Sequence, residues 1–133
     1  MTSSPGPLSA KVLQYLDAVA RTAARAKASG ITLADWDELA ALVDTAAFVR
    51  IASPTKHFGW DEHIAQLTQW APHADFETTV LDLRETRDCA FAKLVERNTV
   101  GGVHRVVNAL SVYVFDDAGK VTGLQTYRQV DAA

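Results

Sequence analysis

The side chain best suited to acid–base chemistry in this chain is that of His63. It lies three residues after Trp60 and four before Leu67, so a helix through this segment puts it on an apolar face. Imidazole gains and loses a proton close to neutral pH, which suits a general acid or base facing a cavity. A histidine on such a face is also explained as a core residue whose ring is hydrogen-bonded by a neighbour. Both interpretations of His63 stay open.

Tyr15 is a second candidate, on the apolar face of a helix predicted over Ser9–Ser29 and ended by Gly30. A buried tyrosine hydroxyl needs a polar partner, and in a hollow protein a ligand oxygen can be that partner. Packing against a sheet is the alternative role. Trp36 and Trp60 are expected in the core and the cavity wall, where aromatic surface suits a small apolar or polycyclic ligand.

Metal and thiol chemistry find no support in the sequence. No set of histidines and carboxylates has the spacing of metal ligands, and we expect neither a metal nor a cofactor. His57 falls in a predicted loop, and His73 and His104 are predicted at the surface. The single cysteine, Cys89, begins an apolar strand and is interpreted as structural, since the pattern sets no histidine beside it.

Length and charge limit the functions that the chain can have. At 133 residues with 48% hydrophobic positions, the chain can bury one core, predicted over residues 8–133 after a disordered tail at 1–7. The 13 Lys and Arg against 16 Asp and Glu leave a net charge of −3, which argues against a basic surface for nucleic acid or anionic lipid. No apolar run reaches the ~18–20 residues that span a bilayer, and the N-terminus lacks a signal-peptide pattern. We therefore expect a cytoplasmic protein without nucleic-acid or membrane partners.

The order of the predicted elements indicates an α+β fold. Helices occupy the first half, and four long strand-like runs fill the second: Phe76–Glu85, Cys89–Thr99, Val103–Phe115 and Val121–Val130. Short turns join these runs, which is typical of an antiparallel meander. Strands this long exceed the usual ~5–6 residues, so the sheet has to curve strongly to stay compact. We predict a cone-shaped, strongly curved antiparallel sheet closed by three N-terminal helices around a pocket.

The remaining predicted elements lie between the first helix and the long strands. A capping box at Thr32 and Asp35 begins a second helix, whose apolar side carries Trp36, Leu39, Ala40 and Val43. A short edge strand at Phe48–Ala52 leads into a loop at Ser53–Phe58. A third helix begins at Trp60 and ends where a proline interrupts it, at Ala71-Pro72.

Two segments resemble a known family. Gly59–Leu67 looks like the glycine-led third helix, and Val112–Gly123 is similar to the last hairpin, of proteins with the cone-shaped nuclear transport factor 2-like fold. That family includes ketosteroid isomerases, limonene epoxide hydrolases, scytalone dehydratases and SnoaL-like polyketide cyclases, and the resemblance covers roughly residues 8–130. It implies the fold more firmly than the activity, because this fold hosts enzymes and binding modules alike.

The resemblance carries expectations about single positions. Tyr15 matches the oxyanion tyrosine of the isomerases, whereas Ile51 and Ser111 stand where their carboxylate base and second acid would be. A steroid isomerase needs a base to move the proton, so that activity is not expected. Against the epoxide hydrolases, Arg97 matches an arginine, but threonines replace both carboxylates at Thr99 and Thr126.

The strand register of the family implies a polar lining with a cationic bias. The residues that it turns inward are Lys93, Arg97, Thr99, Ser111, Tyr113, Thr126 and Arg128. A slip of one residue on the second long strand would send Lys93 and Arg97 to solvent and turn inward the alternate face: Ala90, Ala92 and Leu94. The register of this strand stays open.

Three function classes follow from these features. We favour a SnoaL-like, cofactor-independent cyclase, isomerase or dehydratase acting on a polyketide- or terpenoid-like intermediate by general acid–base chemistry. His63 would carry the proton, Tyr15 and Arg97 would stabilise negative charge on a substrate oxygen, and the other inward residues with Trp36 and Trp60 would bind substrate. The alternatives are a non-catalytic ligand-binding module and a dimerisation domain. A homodimer is expected because Val103–Phe115 is apolar on both sides, so its outer face needs cover.

Overall fold

The computed structural model of the protein describes residues 6–129, with the side chain of Val100 left out. Within this range the chain forms three α-helices, α1 Pro7–Ser29, α2 Asp37–Ala40 and α3 Trp60–Trp70. Short 3-10 turns at Leu33–Trp36 and Ala71–His73 precede α2 and follow α3. The strands are β1 Val49–Ser53, β2 Lys56–Phe58, β3 Phe76–Glu85, β4 Cys89–Val100, β5 Val103–Phe115 and β6 Val121–Arg128.

The long helix α1 packs over the sheet at β3 and β4. It begins at Pro7, where a missing N–H costs nothing, and ends before Gly30, whose N–H donates to the Ala26 carbonyl at 2.9 Å. The φ of 81° at Gly30 then turns the chain out of the helix. The tail predicted at residues 1–7 lies outside the described residues except for its last two, Gly6 and Pro7, of which Pro7 is the first residue of α1. None of the helices in the described range combines the length and apolar character that crossing a bilayer requires.

The second helix is much shorter than predicted. The Asp35 carboxylate accepts the Thr32 N–H at 2.8 Å, as the capping pattern predicts, but the cap begins a 3-10 turn followed by a single α-helical turn. Trp36 explains the tight turn, because its ring is 1% exposed and its Nε1 donates to Thr68 Oγ1 at 3.0 Å. Docking of the large Trp36 side chain holds this segment in a short turn, although the helical propensity of the sequence favours a longer helix.

The six strands form one open, mixed sheet in the order β2-β1-β6-β5-β4-β3. The predicted meander β3 to β6 is antiparallel, and the additional pairing of β1 with β6 is parallel, so the sheet as a whole is mixed. The predicted edge strand Phe48–Ala52 is β1, an internal strand. The edge strand next to β1 is β2, which lies in the segment predicted as a loop. The chain turns back into β2 because Ser53 Oγ accepts hydrogen bonds from the N–H groups of Thr55 and Lys56.

Curvature of the sheet makes the cavity. Register shifts between Ile51 and Ser53, Val80 and Asp82, and Val114 and Phe115 interrupt the ladders, and bulges of this kind bend and twist a sheet. Helix α1 lies over the concave face at β3 and β4. The strand beneath it carries small side chains, Ala90 and Ala92, both fully buried. The structure is thus the predicted α+β cone with a pocket between helices and sheet.

Candidate functional site

A cavity of about 360 Å³ lies between α1, α3 and the concave face of the sheet. Its volume is in the range of pockets that hold small organic ligands. Aliphatic and aromatic side chains form most of one side, among them Leu16, Val19, Leu67, Trp70, Leu94 and Leu124. Such side chains suit an apolar ligand body, and the polar residues on the rest of the lining can orient it.

His63 and Tyr15 meet on the cavity wall. Helix α3 carries His63 on its buried face, and α1 carries Tyr15 on the face that packs against the sheet. His63 Nε2 and the Tyr15 hydroxyl are 3.2 Å apart, and the two residues are 5% and 3% exposed. Nδ1 of His63 is buried and has no hydrogen-bond partner among residues 6–129. The sequence left each of these residues with a packing role and a chemical role, and the structure brings both into one hydrogen-bonded pair at the cavity.

Burial sets the protonation of this pair. Loss of hydration, with a smaller contribution from the Arg50 charge, lowers the pKa of His63 to about 4, so its imidazole is neutral at pH 7. Loss of hydration raises the pKa of Tyr15, against an opposing effect of Arg50, so its phenol stays protonated. The Tyr113 ring stands edge-on to that of Tyr15, with ring centroids 5.4 Å apart. Loss of hydration raises the pKa of Tyr113 as well, and the neighbouring Tyr15 and Glu96 raise it further.

Two arginines line the cavity in different electrostatic settings. Arg50, on β1, donates from Nη1 to Gln66 Oε1 at 2.7 Å, a neutral partner. Arg128, at the end of β6, pairs with the Glu96 carboxylate through Nε at 2.8 Å and Nη2 at 3.4 Å. Both donors and Glu96 are cavity-lining residues. The cavity therefore holds one internally balanced ion pair and one further cation.

The predicted inward residues of β5 and β6 do lie on the cavity wall. Ser111, Tyr113, Thr126 and Arg128 all line it. Ser111 and Thr126 are directly opposite each other on paired strands, and their hydroxyl oxygens are 2.9 Å apart. These hydroxyls bond each other, so one proton of the pair is free for a ligand.

Of the two registers left open for β4, the structure has the one that sends Lys93 and Arg97 outward. Lys93 and Arg97 are exposed on the outer face, where Arg97 donates from Nη1 to Thr79 Oγ1 at 2.9 Å. Thr99 shares that face and lies 2.7 Å from Nδ1 of His104. The inward face is the alternate one, which carries Leu94, Glu96 and Asn98. Close packing under α1 selects it, because only small residues such as Ala90 and Ala92 fit between strand and helix. Arg97 therefore has no place in the site.

The two tryptophans predicted to contact substrate do not line the cavity. Trp36 is buried against Thr68, as described above, and Trp60 stands edge-on to Phe48 with ring centroids 5.2 Å apart. Trp60 also contacts the wall residue His63, with ring centroids 5.8 Å apart. Of the three tryptophans, Trp70 lines the cavity, together with Phe76 of β3, whose ring centroid is 4.6 Å away.

Sequence reasoning missed five polar residues of the site: Arg50, Gln66, Thr78, Glu96 and Asn98. The signal for Glu96 was present, because it alternates in phase with Ala90, Ala92 and Leu94. Gln66 follows His63 by three residues and so shares its helix face. Arg50 had no such signal, since its inward position depends on a parallel pairing of β1 with β6 that the local pattern does not reveal.

Other reactive groups lie apart from this site. Cys89 is a free, partly buried thiol at the start of β4, and burial raises the pKa of that thiol. In the described part of the chain, no group of three or more His, Cys, Asp or Glu residues has an arrangement that could hold a metal ion. His57 is exposed on β2 and His73 is exposed after α3.

Comparison with known proteins identifies the fold. No protein-family model and no curated protein sequence matches the chain. Solved structures do match. An NTF2-like protein of unknown function from Burkholderia pseudomallei superposes with a TM-score of 0.72 at 16% identity, over 94% of this chain and 92% of that one. A candidate SnoaL-like polyketide cyclase from Shewanella denitrificans gives 0.71 at 12% identity, over 94% and 92%.

An LEH-like epoxide hydrolase from Mycobacterium tuberculosis is also similar, with a TM-score of 0.68 at 15% identity over 90% of this chain and 80% of that one. Identities this low carry the architecture and leave the activity open. Topology, cavity and these superpositions agree with the resemblance noted in the sequence. The protein has the nuclear transport factor 2-like fold.

Proposed function

We propose that the protein is a cofactor-independent enzyme that moves a proton on a small, mainly apolar carbonyl compound of polyketide- or terpenoid-like type. The observation that carries the proposal is the 3.2 Å contact between His63 Nε2 and the Tyr15 hydroxyl on the wall of a cavity that has both apolar and polar lining residues. Isomerisation, aldol-type cyclisation and dehydration of a β-hydroxy carbonyl compound share one step. In each, a base removes a proton from the carbon next to the carbonyl group, and negative charge develops on the carbonyl oxygen.

One histidine tautomer lets the pair perform this step. With the proton on Nε2, His63 donates to the Tyr15 oxygen, which leaves the Tyr15 proton free for a substrate oxygen and the Nδ1 lone pair free as a base. The other tautomer would leave a buried N–H without an acceptor, and orphaned donors are rarer in proteins than under-used acceptors. We assign the first tautomer on this ground. Nδ1 has almost no accessible surface in this structure, so the step requires that ligand binding displace the side chains that cover it. Nδ1 then takes the carbon-bound proton, the electron pair of the C–H bond moves toward the carbonyl oxygen, and Tyr15 donates to that oxygen.

A non-catalytic ligand-binding module of the same fold is the second candidate. The paired groups Glu96–Arg128 and Ser111–Thr126 favour it, because hydrogen bonds within the wall leave fewer groups free for chemistry. The lowered pKa of His63 also makes it a weaker base than a free imidazole. The two candidates differ in one observable, which is whether a bound carbonyl compound exchanges its carbon-bound proton.

Deuterium exchange measures that step without knowledge of the natural substrate. 2-Tetralone, a bicyclic enolisable ketone, is incubated with the protein in D₂O, and loss of its α-proton signal is followed by NMR. We expect wild-type protein to accelerate the exchange, His63→Gln to abolish the acceleration, and His57→Gln, at an exposed histidine of β2, to retain it. Binding of 2-tetralone without accelerated exchange would favour the binding module. Acceleration that survives His63→Gln would exclude His63 as the base.

A further inference from the structure

Arg50 has an unusual setting for a cavity-lining arginine. It is half-buried, its Nη1 donates to the neutral amide of Gln66 at 2.7 Å, and its guanidinium carbon lies 5.9 Å from the ring centroid of Phe58. Among residues 6–129, no carboxylate lies within ion-pair distance of it. A partly buried cation whose protein neighbours are all neutral is costly unless something else balances its charge.

The rest of the cavity does not balance it. Arg128 is the only other cationic arginine on the described wall, and Glu96, the only carboxylate there, is already bound to it at 2.8 Å. His63 is neutral near pH 7, as derived above. Two guanidinium groups against one carboxylate leave the lining with one net positive charge. The Arg50 charge also acts on both members of the central pair, since it lowers the pKa of His63 and of Tyr15.

We propose that the ligand of this cavity carries a carboxylate on its apolar body, and that Arg50 binds this carboxylate. The guanidinium is a planar fork of five donors that matches a carboxylate with two parallel hydrogen bonds, and Gln66 uses only Nη1 of that fork. The aliphatic wall at Leu16, Val19 and Leu124 takes the body of the ligand. The inference rests on the proposed function in one respect, which is that the anion belongs to the molecule whose proton His63 moves.

Arg50 could instead be a structural residue whose task is to join β1 to α3 through Gln66. The two roles differ in what they demand of a ligand. A structural arginine gives no preference between a carboxylate and its neutral amide, whereas a binding arginine favours the carboxylate. The probes 2-naphthoate and 2-naphthamide form such a pair, with the same bicyclic body and one charge of difference.

The experiment is a calorimetric titration of the full-length protein with each probe. We expect 2-naphthoate to bind wild-type protein at least about tenfold more tightly than 2-naphthamide, as a charge-assisted bond to arginine predicts. Arg50→Gln should remove the preference by weakening 2-naphthoate about tenfold, with 2-naphthamide within about twofold. Arg84→Gln is the matched control, because Arg84 is an arginine with an 80% exposed side chain on the outer face.

Three results would overturn the proposal: equal affinities of the two probes for wild-type protein, a carboxylate preference that survives Arg50→Gln, and no binding of either probe at millimolar concentration. The wild-type comparison needs no variant, and Arg50→Lys, which keeps the charge and loses the fork, replaces Arg50→Gln if the latter does not fold. Exchange of neutral 2-tetralone tests the proton chemistry separately. Exchange without carboxylate preference refutes the Arg50 assignment alone, and carboxylate preference without exchange refutes the chemistry alone.

Discussion

The Tyr15 hydroxyl lies 3.2 Å from Nε2 of His63, although 48 residues separate the two in the chain. Tyr15 comes from the middle of α1 and His63 from the first turns of α3, so their contact depends on how both helices dock onto the sheet. Phe48 and Trp60 hold the His63 ring from the other side, with centroids 5.2 and 5.8 Å away. Packing thus fixes the imidazole in place, and the hydroxyl is its polar contact.

Replacement of His63 by Gln should stop proton transfer while the protein stays folded. Removal of a general acid or base typically lowers the rate about 10²–10⁴-fold, and we expect this loss in the exchange of 2-tetralone. Glutamine can still hydrogen-bond the Tyr15 hydroxyl, so circular dichroism should show a melting temperature within a few degrees of wild type. The opposite pattern, in which a destabilised variant keeps its rate per folded molecule, would make His63 a core residue only.

Acid should destabilise the protein through His63. Its pKa in the folded protein, about 4, lies below the ordinary histidine value of 6.5, so between these values the unfolded chain binds more protons than the folded chain. The free energy of unfolding therefore keeps its full His63 contribution above about pH 6.5 and falls as the pH drops toward 4. The loss is about 3 kcal/mol, at about 1.4 kcal/mol per pKa unit.

Urea unfolding at pH 7 and pH 4 measures this loss, with His63→Gln as the reference. The lowered pKa values of the Glu38 and Glu85 carboxylates also contribute to acid sensitivity, but they are common to both proteins and cancel in the difference. We expect wild type to lose about 3 kcal/mol more than the variant. An equal loss in the two proteins would mean that His63 titrates normally in the folded state.

The fold was largely readable from the sequence because its long strands carry local signals. The bounds of β3 and β5 agree with the prediction, and β4 ends one residue later than predicted. The strand predicted to Val130 ends at Arg128 in the described range, and Val130 lies outside it. Parallel pairing of β1 with β6 was not predicted, since it joins segments about 70 residues apart through long-range packing that no local pattern records.

The site was less readable, for two physical reasons. On β4 both alternating faces are partly apolar, so hydrophobicity alone does not choose between Arg97 and Glu96 as the inward residue. The choice depends on side-chain volume under α1, which is a tertiary property. Tyr15 and His63 were identified individually from helix periodicity, whereas Arg50 became visible only when the neighbours of β1 were known.

Tyr15→Phe should separate binding from transition-state stabilisation. Loss of one donor to a developing oxyanion typically costs about 10²–10³-fold in rate, so 2-tetralone exchange should fall by that factor while its dissociation constant changes little. Tyr127→Phe is the control, because Tyr127 is 54% exposed on the outer face. An unchanged exchange rate in Tyr15→Phe would remove the hydroxyl from the proposed chemistry and leave it as a packing partner of His63.

The outer sheet face should form a homodimer. Leu110, Val114 and Tyr127 are 41%, 39% and 54% exposed there, and Leu110 lies directly opposite Tyr127 on the neighbouring strand. Apolar side chains clustered on one sheet face mark an interaction surface. Sedimentation equilibrium at micromolar concentration should give twice the chain mass for wild type and for Leu33→Lys, at an exposed leucine outside the sheet. Leu110→Lys should be monomeric, and a monomeric wild type would refute the dimer.

Glu96 and Arg128 form an ion pair on the cavity wall. Glu96→Gln removes the carboxylate that binds Arg128 at 2.8 Å but keeps the size of the side chain, so the cavity gains one net positive charge. If the cavity binds a carboxylate, 2-naphthoate should bind this variant roughly threefold to tenfold more tightly than wild type, because the attraction between charges is only partly screened in a half-buried site. The affinity for 2-naphthamide should stay the same.

Asp82→Asn is the matched control for this variant. It removes a carboxylate from a comparable arginine pair, Arg84 at 3.0 Å, on the exposed surface away from the cavity. Calorimetric titration of wild type, Glu96→Gln and Asp82→Asn with both probes separates the effect of charge in the cavity from the effect of the protein's net charge. A rise in 2-naphthoate affinity in Asp82→Asn as large as in Glu96→Gln would attribute the effect to net charge alone. A fall in Glu96→Gln would mean that Arg128 needs its carboxylate partner to keep the cavity in binding form.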